Sequence, residues 1–475
     1  MDINSIINIV TYFLLVLLLG YYFATTAQWY SYKLNRVIFH HTKPWWNVVY
    51  FLLPFGAYEA LSLANLKAYQ PIVVLLYAVA LFIWYKKLDK PLVFTGRIKR
   101  FFAALVIFVL ITLVATKTTL LIIPITLAWL ASLGFEKILF NSYKIKAQEK
   151  LDNMPNLIVV GVTASYGKTS MKNFIAKVLS KKYNTYATPR SVNTLGGIIK
   201  DINEDLPQDT EVYVVEMGAR ERHDIYDIAT LVNPHYAIVG TIGPAHIEYF
   251  KSLENIRDTK MEILKSNRLK EAWVHISTNA KSNNDKIHLF GHDIKDISST
   301  LDGISFSLDG HRYSANILGS FNAINLAAAI KVAQALGLEQ NEIQEALNSI
   351  EPVTHRLQKI EAGGKLIIDD SFNGNIDGML EAFELASTYS GRKVVITPGL
   401  VEVDDKLNIE IAKRANEVFD IVVVTGELNY EIFKEYVDSN KLIHLKDKSN
   451  FEEFLANTTK SGDLILFAND APSFI

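Results

Sequence analysis

The residues best equipped for chemistry stand together in Gly161-Val-Thr-Ala-Ser-Tyr-Gly167-Lys168-Thr169-Ser170. They follow the apolar β-type run LIVV and open a helical stretch over 169–182, where Phe174, Ile175, Val178 and Leu179 form one stripe. A strand, a tight turn, Gly-Lys-Thr and a helix make an anion cradle, because backbone N–H groups and the helix N-terminus face the charge. In such a cradle Lys168 reaches phosphate oxygens and the Thr169 hydroxyl reaches a Mg²⁺. Val162 sits where the strict G-x-x-x-x-G-K-[ST] spacing asks for glycine. A chance Gly-Lys-Thr in a turn is the plain alternative, and the flanking strand and helix argue against it.

Two further pieces carry hard ligands. In EVYVVEMGA, Glu216 closes a buried-type strand, at the carboxyl edge where open α/β sheets bind ligands. In TIGPAHIEYF, His246 and Glu248 follow a strand and a Gly-Pro turn. A single strand-end Glu or loop His is commonly structural. Joined to the lysine loop, Thr169, Glu216 and His246 would form a hard-cation site.

The elements that must position these groups divide the 475 residues in two. Residues 1–135 hold five apolar runs, near 5–24, 46–64, 70–85, 101–116 and 119–135, with a net charge of +8; the remainder carries −10. A run of about 20 apolar residues spans a hydrocarbon layer as a helix. Alternate connections, 25–45 and 86–100, are basic, so the positive-inside rule implies five transmembrane helices with everything after 136 in the cytoplasm. The expected location is therefore the inner membrane, multi-pass, with membrane lipid as a partner. Glu59 in the second run reads as a helix-packing contact and Trp45 and Trp46 as interfacial anchors. The mildly acidic remainder leaves no basic face for nucleic acid. Zero cysteines exclude disulfides, thiolate metal sites and a cysteine nucleophile. Residues 136–154 read as a charged cytoplasmic linker. Beyond Pro155, runs such as LIVVGVT, EVYVVEMG, YAIVGTIG, KLIIDDS, RKVVITPG, DIVVVTG and DLILFAN alternate with amphipathic stretches, the pattern of parallel α/β layers. A Pro- and Gly-Gly-bearing break near 351–365 reads as a hinge between two α/β domains.

Taken in order, GVTASYGKTS, VVEMGA, AHIEYFKSLENIRDTKMEIL, GSFNAINLAAAI, EPVTHRLQKI and IIDDSFNGN resemble the Mur ligase family, over roughly 155–475. DDSFNGN and the AHIE segment are similar to the branch that adds D-alanyl-D-alanine. The resemblance implies an ATP-dependent amide ligase of peptidoglycan precursor synthesis working through an acyl phosphate, with ATP and Mg²⁺ as cofactors. Its partners would be a muropeptide precursor, UDP-N-acetylmuramoyl-tripeptide, and D-alanyl-D-alanine. By family position Lys168, Lys260 and His246 would be catalytic, with Lys260 matching a lysine that the family often carbamylates. ATP would be held by Thr163, Ala164, Ser165, Gly167, Lys168, Thr169, Ser170, Asn322, Asn325, Arg356 and Asp370. Asn193, Thr194, Asn373 and Asn375 fall where the family places peptide substrate. There are departures: Ala164 replaces a loop glycine, Phe321 replaces a histidine, and the family's N-terminal nucleotide-gripping domain has no counterpart.

The expected fold class is α/β: transmembrane helices over 1–135, the 136–154 linker, a P-loop central Mur ligase domain over 155–350, and a Rossmann-like C-terminal domain over 351–475. Two rivals stand beside it. One is a Mur-like ligase acting on a lipid-linked muropeptide, though the glutamate-amidating ligases of that kind carry a cysteine-rich zinc insert that this chain lacks. The other is a transporter or scaffold with a degenerate ATPase-like domain, against which Lys168, Thr169, Glu216 and His246 all speak.

Overall fold

The computed structural model describes residues 3–39, 41–88, 90–115, 121–245, 247–280, 284–372, 375–400, 403–447 and 451–469. The chain forms two compact units, Met1–Ser142 and Tyr143–Ile475, and the division falls within the helix Ile122–Asp152. The charged stretch over 136–154 is thus largely continuous helix.

Over their described residues the five apolar runs of the first unit are helical: Ile3–Trp29, a segment ending in Leu53–Leu63, Gln70–Lys86, Gly96–Ala115 and the start of Ile122–Asp152. Pro54 follows directly on a π-helical stretch, Val48–Leu52, within a continuously helical segment, and Pro71 sits in the first turn of its helix. Tyr12, Leu15, Leu19, Tyr22, Tyr77 and Trp84 pack into a core of this unit's own. Gly20 permits the closest approach, since a Cβ there would lie 2.5 Å from Leu105. Glu59 accepts the Leu121 N–H at 3.0 Å, a packing contact of the kind expected. Trp46 packs edge-on against Trp84 and Tyr50. Large apolar side chains, among them Leu63, Leu75 and Val114, stay exposed on this unit. Among the described residues three helices, Ser5–Trp29, Lys67–Lys86 and Ile122–Asp152, have the length and hydropathy to cross a membrane.

The second unit contains two six-stranded sheets. The first is parallel throughout, in spatial order Thr185–Ala187, Val212–Glu216, Ile158–Thr163, Tyr236–Val239, Glu271–His275, Ile287–Phe290. Ile158–Thr163 is first in sequence yet central in space, so the chain leaves it in opposite directions. Its carboxyl end is a switch point, where a crevice opens beyond the strands. Val160 and Val162 face one buried layer and Val159 the other, which explains why this strand is apolar without alternation.

The second sheet runs Gln358–Ala362, Lys365–Asp370, Leu464–Ala468, Lys393–Thr397, Ile421–Thr425, Leu442–Leu445, parallel except for its first strand. Gly363 and Gly364, at φ +57 and +71, form the tight turn of an antiparallel hairpin, so this Gly-Gly is a reversal inside the sheet and not a hinge. A third sheet, Lys295–Thr300, Gly303–Leu308 and His311–Ala315, is antiparallel. Its alternating ISFSL and its Asp-Gly turn at 309–310 carried the signal for a hairpin.

Candidate active site

The Gly161–Ser170 segment leaves the central strand at the switch point and enters the helix Lys168–Leu179. Gly167 caps that helix in the left-handed region, φ +76. A Cβ there would lie 2.6 Å from Asn325 Oδ1, so both backbone angle and space require glycine. Ala164, by contrast, is fully buried and has no positive φ. The position where the family carries glycine demands no special angle here, and the methyl packs against Gly240. Thr163 Oγ1 donates to Met217 O at 2.9 Å and Ser165 Oγ to Gly243 O at 3.0 Å, tying the loop to both neighbouring strand ends.

Lys168 Nζ donates to Ala164 O at 2.8 Å and Ser165 O at 3.1 Å, folding the ammonium back over the loop. Burial lowers its pKa to about 8, with Arg356 pushing the same way and Glu216 opposing. Lys260, at the end of the helix Leu253–Met261, is 3% exposed. Burial lowers it to about 7; the charge of Lys168 adds to this, while Asp224, Glu216 and Glu262 oppose it. Lys168, Lys260 and Arg356 thus all lie within the field of Glu216. Asp370 ends the strand Lys365–Asp370 and accepts the Leu357 N–H at 3.1 Å. Burial raises its carboxyl to about 6.

Several expected residues have other employment. Thr194 caps the helix Leu195–Glu204 by accepting the Gly197 N–H, and Asn375 caps Ile376–Ser387 by accepting the Gly378 N–H. Asn193 lies at the site itself, donating to Glu216 Oε1 at 3.0 Å. Asn322 donates to Leu318 O at 2.6 Å and accepts from Asn325 at 2.9 Å; it is the first residue of its helix and not the cap. Asn325 meets the loop at Gly167. Thr169 and Ser170 open the loop's helix. His246 and Asn373 lie outside the described residues, as does the side chain of Glu248.

Sequence reasoning missed Lys172. It falls in the buried stripe with Ile175 and Leu179, at i+3 and i+7, which is an unusual place for a lysine. Its ammonium donates to Thr188 O at 2.6 Å and to Arg190 O, and lies 3.4 Å from Glu216 Oε2. Both side chains are 1% exposed. Thr188 Oγ1 in turn accepts the Glu216 N–H at 3.1 Å. One lysine therefore joins the loop's helix, the 188–193 segment and the strand-end carboxylate.

The model for the Mur ligase middle domain matches residues 162–333. The chain is 28% identical over 333 residues to the UDP-N-acetylmuramoyl-tripeptide–D-alanyl-D-alanine ligase of Bacillus subtilis, covering 65% of this chain and 72% of that one. It is 30% identical over 323 residues to the enzyme of the same name from Synechocystis sp., covering 65% and 71%. The chain belongs to the Mur ligase family. Its fold matches the MurF ligase of Thermotoga maritima solved in complex with ADP, with a TM-score of 0.60, 27% identity, and coverage of 70% of this chain and 80% of that one.

As a Mur ligase the chain is an ATP-dependent, ADP-forming ligase with an α/β fold built on a parallel sheet. The inner-membrane, multi-pass location expected from the apolar runs is corrected: the matched ligases do not support it, and the structure shows candidate apolar helices only. Membrane lipid loses its support as a partner on the same ground. The physical reason is that an apolar run of spanning length shows that a segment leaves water and not what covers it. Tyr12, Leu19, Tyr77 and Trp84 are buried by neighbouring helices of their own unit, while Leu63, Leu75 and Val114 stay exposed.

Lys260 offers a pH test of this Mur ligase's buried charge. Its folded pKa lies below the ordinary value, so between about pH 10 and about pH 7 the folded chain binds fewer protons than the unfolded one. Its contribution to stability is fully present above the unfolded pKa and is lost as pH falls through about 7. Lys260→Met should therefore stabilise the chain near pH 7, by up to about 4 kcal/mol, and have little effect near pH 10. Urea unfolding of both proteins at the two pH values checks this, and an equal difference at both would contradict it.

Proposed function

We propose that this Mur ligase joins D-alanyl-D-alanine to the peptide carboxylate of UDP-N-acetylmuramoyl-tripeptide. The observation that supports the reaction type most directly is the gathering of Lys168, Lys260 and Arg356 around Glu216 at the sheet's switch point. Clustered cations beside one carboxylate suit the movement of negative charge between phosphoryl donor and acceptor oxygens.

In this reading the 161–170 segment is a P-loop, the region 155–350 binds ATP, and 351–475 is a Rossmann-like domain closing over it. The peptide carboxylate oxygen attacks the γ-phosphorus of ATP, the bond to the bridging oxygen breaks, and ADP leaves. The amine of D-alanyl-D-alanine then attacks the carbonyl carbon of the acyl phosphate. Inorganic phosphate departs, the amine gives up a proton, and an amide remains. Lys168 balances charge on the transferring phosphoryl group, and the loop's backbone N–H groups hold the β-phosphate. Arg356 and Asp370 contact the nucleotide, with Asn322 and Asn325 supporting the loop beneath it.

Glu216 Oε2 is buried and makes no hydrogen bond, with the Lys172 ammonium 3.4 Å away, and such an oxygen is an acceptor suited to a hard cation. Among the described residues no group of three His, Asp or Glu side chains converges to hold a metal. Mg²⁺ is commonly held by one or two protein oxygens and substrate phosphates. Thr169 and Glu216 would hold it, with His246 as a further candidate. When bound, Mg²⁺ neutralises phosphate charge. Asn193 keeps the Glu216 carboxylate in place.

Phosphate release by the full chain, tested against UDP-linked and lipid-linked muropeptides with and without D-alanyl-D-alanine, tests the reading. Release that requires both the UDP-linked tripeptide and D-alanyl-D-alanine is expected. Release only with the lipid-linked donor would replace the substrate, and release indifferent to D-alanyl-D-alanine would remove the acceptor.

A further inference from the structure

Arg356 stands between two non-glycine residues that both hold left-handed backbone, His355 at φ +63 and Leu357 at φ +46. Side chains with a Cβ, and bulky ones above all, avoid that region, and such angles persist where the surroundings over-determine them. The surroundings here are two adjacent carboxylates at the end of the strand Lys365–Asp370. Asp369 is fully buried and its Oδ2 lies 2.7 Å from His355 Nδ1. A carboxylate can only accept, so Nδ1 carries the proton. The other oxygen, Oδ1, accepts from Ser371 Oγ at 2.5 Å and from the Ser371 N–H at 3.1 Å. Asp370 Oδ1 takes the Leu357 N–H, and His355 O accepts the Phe372 N–H at 3.3 Å. The residues before and after Arg356 are therefore both held to one strand end. Between those two holds the guanidinium lies over the Phe372 ring, 4.9 Å from its centroid, within the field of Glu216.

We propose that His355 and Asp369 are positioning residues for nucleotide binding: their bond holds the left-handed kink that aims Arg356 into the site before ATP arrives. This rests on the reading of Arg356 as a nucleotide contact. Without the bond the 353–357 segment relaxes to ordinary backbone angles, and only a fraction of molecules presents the arginine. Apparent affinity then falls by that fraction.

The test measures binding of a fluorescent ADP analogue, kcat, and KM for ATP in the full chain, for His355→Gln, Asp369→Asn, Arg356→Ala and the His355→Gln/Arg356→Ala double variant. His355→Gln should weaken ADP binding and raise KM by about tenfold, with kcat changed much less. Asp369→Asn should follow it if it folds; His355, a quarter exposed, is the safer substitution. In the Arg356→Ala background His355→Gln should add less than about twofold, because the group it positions is gone. ADP binding by His355→Gln within about twofold of the parent, with or without a lower Tm, would overturn the proposal, as would a loss that multiplies fully in the double variant. An Arg356→Ala variant that binds ADP normally would overturn the nucleotide reading of Arg356 and this proposal with it.

Discussion

Lys168→Ala is expected to lower turnover at least about 100-fold, the equivalent of several kcal/mol of barrier, while the chain remains folded. The ammonium is the one cation supplied by the loop itself, and it is aimed at the centre of the loop by Ala164 O and Ser165 O. Charge placed in advance in a poorly solvated cleft stabilises a moving phosphoryl group far more than the same charge in water. The fold should survive because the side chain braces nothing distant: both partners are carbonyls within four residues of it. Net loss of two such bonds amounts to about 1 kcal/mol each. ADP release under saturating substrates and thermal melting, measured side by side, check both halves. Ligation near the parent rate would remove the loop from the reaction.

Glu216→Ala should fail in two ways at once, losing turnover and about 3–5 kcal/mol of stability. Its carboxylate and the Lys172 ammonium are both buried, and truncating one leaves the other as an uncompensated charge in a low dielectric. Asn193 loses its acceptor in the same step. The two effects can be separated. Lys172→Met/Glu216→Gln removes both charges while keeping volume and an acceptor for Asn193, so stability should return towards the parent while turnover stays lost. Urea midpoints and single-turnover ADP formation on the three proteins test this. A Glu216→Ala chain as stable as the parent would mean that the pair is not a structural link. Parent-like ligation by the double variant would remove Glu216 from the chemistry.

The loop was legible because its parts are contiguous. Strand, turn, Gly167, Lys168, Thr169 and helix lie within about 25 residues, and local propensity and periodicity suffice to place them. The seven apolar runs beyond Pro155 were legible for a related reason: a strand covered on both faces must be apolar throughout. Smaller pieces escaped. Thr185–Ala187 is three residues long, and the antiparallel sheet over 295–315 is half polar. Thr194 and Asn375 matched substrate positions by residue type, but helix-capping asks for the same types.

By itself the sequence determined what depends on neighbours in the chain: the strand, turn and helix around 161–170, the largely parallel α/β character of 155–475, and the helical character of the apolar runs in the first 135 residues. Tertiary structure decided whatever depends on residues far apart in the chain. Lys172 meets Glu216 across 44 positions and His355 meets Asp369 across 14, and neither pairing leaves a periodic trace. The need for glycine at 167 but not at 164 became visible only when Asn325 and Gly240 arrived from other elements. The apolar helices mark the same boundary. Hydropathy measures how strongly a segment leaves water, a property of its own side chains, and does not name what covers it.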